Sequence, residues 1–309
     1  MLGYLIRRLL SALFAIWVVI TVTFIFMHLI PGGPFQTEKA IPEAIKENIE
    51  ARYKLDQPLH FQYLDYLGNV VRGDLGPSYK YRGQTVNDII AERFPVSLQL
   101  GLLTFIIAIV LGVGAGIIAA LYQGRAPDYI TMFFSTIGIS VPSFILGTLL
   151  MYVFAFRLGL LPAAMWGTPQ HIIMPAVALA GLPTAFIARL TRSSMLDVLN
   201  QDYMRTALAK GLPRLRMIWV HAVKNAIIPV ITYSGPLLAA ILTGSFIVEN
   251  IFAVPGLGKH FVTSIYNRDY TVILGLTIFY SILLIGLNMF VDFAYTLVDP
   301  RIKLMGSKE

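Results

Sequence analysis

Six long apolar stretches organise the chain. Leu9 to Ile30, Leu98 to Leu121, about Tyr129 to Phe156, Ile172 to Leu190, about Ala226 to Val248 and about Val272 to Val298 are almost free of charge. Each is close to or above the roughly 20 residues that a helix needs to cross a bilayer core. The pattern predicts an all-α integral membrane protein with six transmembrane helices. The third stretch holds Pro142, and the fourth holds Pro175, Gly181 and Pro183. Such residues survive in membrane helices when neighbouring helices re-satisfy the freed backbone groups, so these spans are expected to pack against others. Pro142 and Pro229 read as fixed bends in preference to gating kinks. Gly112, Gly114 and Gly116 permit a tight helix crossing, either within the chain or with a partner. Trp17 and Trp166 suit the membrane interface.

The first stretch follows Arg7 and Arg8, as a signal peptide would. It is longer than a signal core and runs into His28-Leu-Ile-Pro-Gly-Gly-Pro34, so it reads as an uncleaved first span. Between it and the second lies a polar segment with its own pattern. Ile41, Ile45, Ile49 and Tyr53 recur at helical spacing, with Glu43, Lys46, Glu47 and Glu50 on the other faces. Thr85 and Asp88 form a capping pair that opens a second short helix through Phe94. Gly73-Asp-Leu-Gly-Pro-Ser78 between them is a turn. The organisation expected is a first transmembrane helix over 1–30, a small folded cap over 31–97, and a five-helix core over 98–309 with a polar loop at about 192–217.

Composition sharpens this picture. The 309 residues are 56% hydrophobic and 13% charged, with a mean hydropathy of +0.70. Soluble domains average about 45–50% apolar and about 25% charged, which excludes a soluble enzyme or a disordered chain. With no cysteine, a disulfide-stapled module is excluded too. The net charge of +7 would suit a nucleic-acid partner, but in a membrane protein basic residues collect on cytoplasmic loops. Arg189, Arg192, Arg205, Lys210, Arg214, Arg216 and Lys224 crowd one loop against Asp197 and Asp202. Arg7, Arg8, Arg125, Arg301, Lys303 and Lys308 fall on the same side, so both termini are expected in the cytoplasm, with 31–97 outside and no nucleic-acid partner.

Candidate chemistry is sparse. There is no Gly-x-x-x-x-Gly-Lys-[Ser/Thr] phosphate loop, no His-Glu-x-x-His zinc motif and no Gly-x-Ser-x-Gly elbow. The five histidines are scattered. Neither catalysis nor a bound cofactor or metal is expected of this chain. Asp292 is the one acid well inside a proposed span, and Glu249 lies at the outer end of the fifth. A lone acid near a helix end reads as pairing with a polar neighbour in preference to a proton relay. A transporter with so little intramembrane charge draws its energy from elsewhere.

The informative loop is Arg189 to Pro213. Met195, Leu196, Val198 and Leu199 form an apolar stripe, and Gln201 to Lys210 is a short helix stopped by Gly211 and Pro213. Small residues at Ala207 and Ala209 suit the close approach of a partner. An amphipathic helix lying on the bilayer surface fits the residues equally well.

Arg205-Thr-Ala-x-x-x-Gly211, followed by His221-Ala-Val-Lys-Asn-Ala-Ile-Ile-Pro229, resembles the cytoplasmic signature of ABC-importer permeases. Arg205 and Thr206 stand where the general pattern has Glu and Ala; an Arg-Thr-Ala version is usual in the peptide-permease branch. Thr243-Gly-Ser-Phe-Ile-Val-Glu249, Pro255-Gly-Leu-Gly258, Asn267-Arg-Asp-Tyr270, Asp299-Pro-Arg-Ile-Lys303, Gly73-Asp-Leu-Gly-Pro77 and Val86-Asn-Asp88 extend the match over nearly the whole chain. Within the oligopeptide and dipeptide transport family the chain is most similar to the oligopeptide permease B-type subunit, which implies import of oligopeptides; the same architecture carrying dipeptides, nickel chelates or glutathione is the alternative. That resemblance implies a type I importer permease (MetI-like) fold with a small extracytoplasmic cap, in a bacterial cytoplasmic membrane. It implies a second homologous permease, two ATPase subunits carrying ATP and Mg, and an extracytoplasmic peptide-binding protein as partners. It further implies that Asp202, Arg205, Thr206, Ala207, Ala209, Lys210 and Gly211 couple the chain to an ATPase.

Overall fold

A computed structural model describes residues 2–30 and 56–298. Helices α1 Leu2–Leu29, α2 Leu59–Val71, α3 Val86–Leu121, α4 Ala126–Ser140 and α5 Ser143–Leu150 come first. They are followed by α6 Pro169–Leu199, α7 Asp202–Ala209, α8 Ile228–Gly244, α9 Phe246–Ile251, α10 Leu257–Asn267 and α11 Tyr270–Val298. Two π-helical turns, Met151–Arg157 and Met217–Val223, and two three-residue helical turns, Arg214–Arg216 and Lys224–Ala226, complete the set among the described residues. The chain is all-α, as its apolar runs predict; extended pairing among the described residues is limited to one bridge, Pro77 to Thr85. The helix expected over 41–53 and the Asp299–Lys303 motif lie outside the described residues. So does the side chain of Asp292.

Among the described residues, five helical stretches are long and apolar enough to cross a membrane: Ile6–Leu29, Val86–Leu121, Pro169–Leu199, Ile228–Ile251 and Tyr270–Phe290. Ala126–Ser140 and Ser143–Arg157, bent by 107° at the break between them, make a sixth when the pair is counted as one broken span. A single span with a fixed bend was the expectation there. Val141 is instead extended (φ −92°, ψ 117°) and Pro142 follows at φ −57°, so the helix stops outright. A residue before proline is pushed out of the helical region, which is the physical cause.

The second difference is at α3. The sequence suggests a short helix through Phe94 and a separate span from Leu98. One helix of 36 residues runs through both, with Pro95 inside it. Pro95 removes one ladder hydrogen bond and crowds the preceding turn, but the helix continues through it. At 1.5 Å per residue this helix is about 54 Å long, well beyond a core of about 30 Å. Thr85 and Asp88 do cap it: the Asp88 amide donates to Thr85 Oγ1 (3.1 Å), and the Thr85 amide to Asp88 Oδ2 (3.0 Å). Pro229 also behaves differently from a mid-helix bend. It stands in the first turn of α8, where its missing N–H costs nothing.

Two compact units form. One takes residues 1–96 and 256–285, the other 97–255 and 286–309. In the first, α3 begins against α11: a Cβ on Gly275 would lie 2.6 Å from Val86 Cγ1. The 72–85 segment is pinned by Asn87, whose side chain accepts from the Leu75 amide (3.0 Å) and donates to the Gly73 carbonyl (2.7 Å).

The second unit is built around α6, whose buried face is rich in alanine: Ala176, Ala178, Ala180, Ala185 and Ala188. Small side chains let neighbouring backbones approach closely. Gly112 and Gly116 of α3 use that space, since a Cβ at either would lie 2.7 Å from Ile187 Cβ or 2.6 Å from the Ala188 carbonyl. Gly114 faces open space. The glycine crossing left open by the sequence is therefore internal at Gly112 and Gly116. Glu249, fully buried, accepts from Ser97 Oγ (2.8 Å) and Ser245 Oγ (2.5 Å).

Candidate coupling site

The loop between α6 and α8 carries one short helix with two unlike faces. Gln201 is extended (φ −73°, ψ 150°) and directs the chain out of α6 into α7. Met204 and Ala207, three residues apart, turn inward and are 1% and 7% exposed. They join a core of Ile117, Ala120, Met195, Met217, Ile218 and Ala222. Burying a methionine of this kind contributes on the order of 1.5–3 kcal/mol, which anchors a helix too short to be stable alone.

The opposite face is open. Asp202, Arg205, Thr206 and Ala209 follow one another at helical spacing and are all exposed. Arg205 Nη1 lies 3.7 Å from Asp202 Oδ1, with both side chains mostly in solvent, so the pair adds little stability. Thr206 Oγ1 donates back to the Asp202 carbonyl (3.0 Å). Tyr203, Leu208 and Leu215 are 43%, 56% and 70% exposed and give this surface an apolar component.

The end of α7 is set by backbone geometry. The Gly211 amide donates to Leu208 O (2.9 Å) and the Leu212 amide to Ala207 O (3.3 Å), the paired bonds of a Schellman termination. Gly211 has φ +74°, yet a Cβ there would meet nothing within 4 Å. Glycine is thus required by conformation and not by space. Lys210, the preceding residue, is exposed.

Of the residues singled out by sequence, Asp202, Arg205, Thr206, Ala209, Lys210 and Gly211 share the exposed side and end of α7. Ala207 does not. The sequence pairs it with Ala209 as a small contact surface, but the three-residue step from Met204 turns it into the chain's own core. Three features escaped the sequence reading. Tyr203 OH accepts from Asn225 Nδ2 (3.2 Å), tying α7 to the following segment. That segment contains a π turn, Met217–Val223. Asp128, three per cent exposed, is gripped by Arg192 of α6. A basic residue within a loop-adjacent span facing an acid in the preceding loop was the available signal for this last contact.

Among the described residues no group of three or more His, Asp or Glu is placed to hold a metal. The arrangement offers no reacting group. It offers a rigidly ended helix whose free face can be grasped.

Comparisons with known proteins bear on the family and the fold. Residues 112–304 match the family described as binding-protein-dependent transport system inner membrane component, and residues 1–101 match its N-terminal companion. The dipeptide transport system permease protein DppB of Bacillus subtilis (strain 168) is 51% identical over 304 residues, covering 98% of this chain and 99% of that protein. The oligopeptide transport system permease protein OppB of Haemophilus influenzae is 47% identical over 305 residues, covering 98% and 100%. Among solved structures, the inward-facing MetNI methionine ABC transporter superposes with a TM-score of 0.53 at 16% identity, over 70% of this chain and 97% of that one. An amino acid ABC transporter crystallised with histidines gives 0.52 at 15%, over 70% and 95%. These two share the fold. The chain is a multi-pass membrane protein that belongs to the binding-protein-dependent transport system inner membrane components, a permease subunit and not an enzyme.

Proposed function

We infer that this chain is the B-type permease subunit of an ATP-driven importer of peptides, the substrate class named for both relatives above. In this reading α7 sits in a cleft of an ATPase subunit, with Asp202, Arg205, Thr206, Ala209, Lys210 and Gly211 on or beside the contact and Ala207 behind it as an anchor. Two ATPase subunits supply ATP and Mg, a second related permease completes the pathway, and an extracytoplasmic protein delivers the peptide. Both termini and the 192–217 loop face the cytoplasm, while the 31–97 cap faces outward.

The observation that supports this most is the two-faced construction of α7. A helix meant only to float on lipid would present a continuous apolar stripe outward. Here the most buried positions point into the protein, and the outward stripe Asp202, Arg205/Thr206, Ala209 is polar or small. Closing of the ATPases would pull on this helix and shift the permease between its two access states.

The absence of native cysteine makes the test clean. Arg82→Cys is exposed within the cap and should react with a membrane-impermeant maleimide in intact, wall-stripped cells; Arg214→Cys should react only after permeabilisation. Ser78 is unsuited as a reporter, being 3% exposed. Labelling of Arg214→Cys from outside would overturn the orientation and, with it, ATPase docking at α7. Co-purification of the tagged chain with ATPase subunits, lost on Gly211→Val, is the companion result expected.

A further inference from the structure

The cytoplasmic helix α7 is only as useful as its mechanical connection to the rest of the permease, and one buried contact stands where that connection is needed. Arg192 lies on α6, seven residues before the helix ends at Leu199, with α7 starting three residues after that end. Its guanidinium makes a forked bond to Asp128 in the first turn of α4: Nε to Oδ1 at 2.6 Å and Nη2 to Oδ2 at 2.8 Å. Oδ2 also accepts from the Gly124 amide at 3.0 Å, so the turn between α3 and α4 is held by the same carboxylate. Asp128 is 3% exposed, while the Arg192 side chain keeps 26% exposure. A planar fork on a carboxylate fixes direction as well as distance, which a lysine could not do.

Above this contact α4 stays fastened to α6. Arg189 Nη2 donates to Thr136 Oγ1 (2.7 Å). Gly138 presses on α6 so closely that a Cβ would lie 2.9 Å from both Ala185 Cβ and the Gly181 carbonyl. Two residues beyond Gly138, α4 ends, and the chain turns through 107° at Val141–Pro142 into α5. A path of stiff contacts therefore runs from the α7 end of α6, through Asp128, along α4, to a sharp break in a membrane span.

We propose that the Arg192–Asp128 fork is a positioning pair that transmits displacement of α7 to the Val141–Pro142 break. In this proposal both residues act through α4. The proposal rests on the coupling role of α7 given above. A pair serving stability alone would need no registry with the end of α6, and a loose α4 would let the movement dissipate in the Gly124 turn.

The experiment uses the whole reconstituted importer with its binding protein, comparing the native chain with Asp128→Asn, Arg192→Gln and the double variant. Asp128→Asn keeps the shape of the side chain and removes its charge, so assembly should survive. Three quantities are read: the amount of assembled complex, basal ATP turnover, and the stimulation of turnover and peptide uptake by loaded binding protein. The expected result is near-native assembly and basal turnover, with stimulation and uptake lowered at least about fivefold, the lower end of ordinary site-to-site coupling. The double variant should be no worse than either single one, because one contact is lost in all three. Unchanged stimulation in both single variants would overturn the proposal. So would a fall of basal turnover and uptake together in proportion to lost complex, since that marks a structural pair. Should the native importer itself show no stimulation by peptide-loaded binding protein, the coupling reading of α7 fails first, independently of this pair.

Discussion

Two sites in this chain use polar residues in opposite ways. Asp269, fully buried, binds a distant segment to the start of α11. Its carboxylate accepts from Ser78 Oγ, 191 residues away in sequence, and from the Tyr79 amide (3.1 Å) and the Lys80 amide (3.3 Å). Thr271, two residues on, donates to the Pro77 carbonyl (2.6 Å). On α7 the side-chain bonds of Asp202, Arg205 and Thr206 are local and exposed, and its fixed points are Met204, Ala207 and the Tyr203–Asn225 bond. A buried, many-partnered carboxylate raises the cost of any movement, because every partner left unpaired loses its full desolvation energy. An exposed helix with local bonds can be displaced as a body without breaking any of them. One site holds a loop in place; the other leaves the open face of a helix with local side-chain bonds only.

The contrast can be broken most severely at Asp269. Asp269→Ala takes the acceptor from the Ser78 hydroxyl and the Tyr79 amide, at about 1–3 kcal/mol each when buried, while the Lys80 amide keeps Ser78 Oγ (3.1 Å). We expect a stability loss of about 3 kcal/mol or more, read by thermal unfolding in detergent together with rapid proteolysis within 72–85. Asp269→Asn, which keeps one oxygen, should recover part of it. Protection of the 72–85 segment unchanged in the alanine variant would contradict the holding role.

Met204→Ala comes next. Truncating a buried methionine costs about 2–5 kcal/mol, and here the loss should loosen α7 specifically, seen as faster hydrogen exchange over 202–212. Gly211→Val is expected to cost about 1–2 kcal/mol of left-handed backbone strain, with no steric clash to add. Uptake should fall sharply for Val and much less for Gly211→Asn, since asparagine enters that region more readily. Equal uptake by both variants would show that helix termination does not matter to coupling.

The smallest effect expected concerns pH. His260 stacks near the Tyr81 ring (centroids 4.9 Å), with Nε2 lacking a hydrogen-bond partner among the described residues. Burial first, and the Arg93 charge second, hold its pKa below the usual 6.5. The neutral form is therefore the one compatible with the fold. As pH falls through about 6.5 the unfolded chain takes up a proton that the folded chain resists, so stability declines until the folded pKa is reached; above about pH 7.5 it is flat. A shallow acid-side drop in the thermal midpoint, absent from His260→Phe, is the result expected. On α7, by contrast, Leu208→Ala should leave the thermal midpoint unchanged while weakening ATPase association.

Much of the architecture was legible in the residue pattern because a bilayer imposes a length and a polarity on anything that crosses it. The apolar runs marked the start of α6 and of α8 to within a few residues, although α6 runs nine residues past its apolar end and α3 extends twelve residues upstream of its apolar start. The Thr85–Asp88 cap was legible because it is local, and Gly211 because a helix end in the left-handed region selects glycine. The place of α7 itself was readable from Gly211 and Pro213 at one end and Gln201–Asp202 at the other.

What the sequence by itself determined, then, was whatever depends on neighbours within a turn or two: spans, caps, helix ends and the polar loop. Only the tertiary structure decided which way Ala207 faces, since a three-residue step from Met204 means nothing until a core exists on that side. It decided that Gly112 and Gly116 meet α6, that Val141–Pro142 breaks a span where a bend would also satisfy the pattern, and that Arg192 finds Asp128 across 64 residues. These are choices among packing partners, and a linear pattern of polarity carries no record of which partner a residue meets; close packing in three dimensions makes that selection.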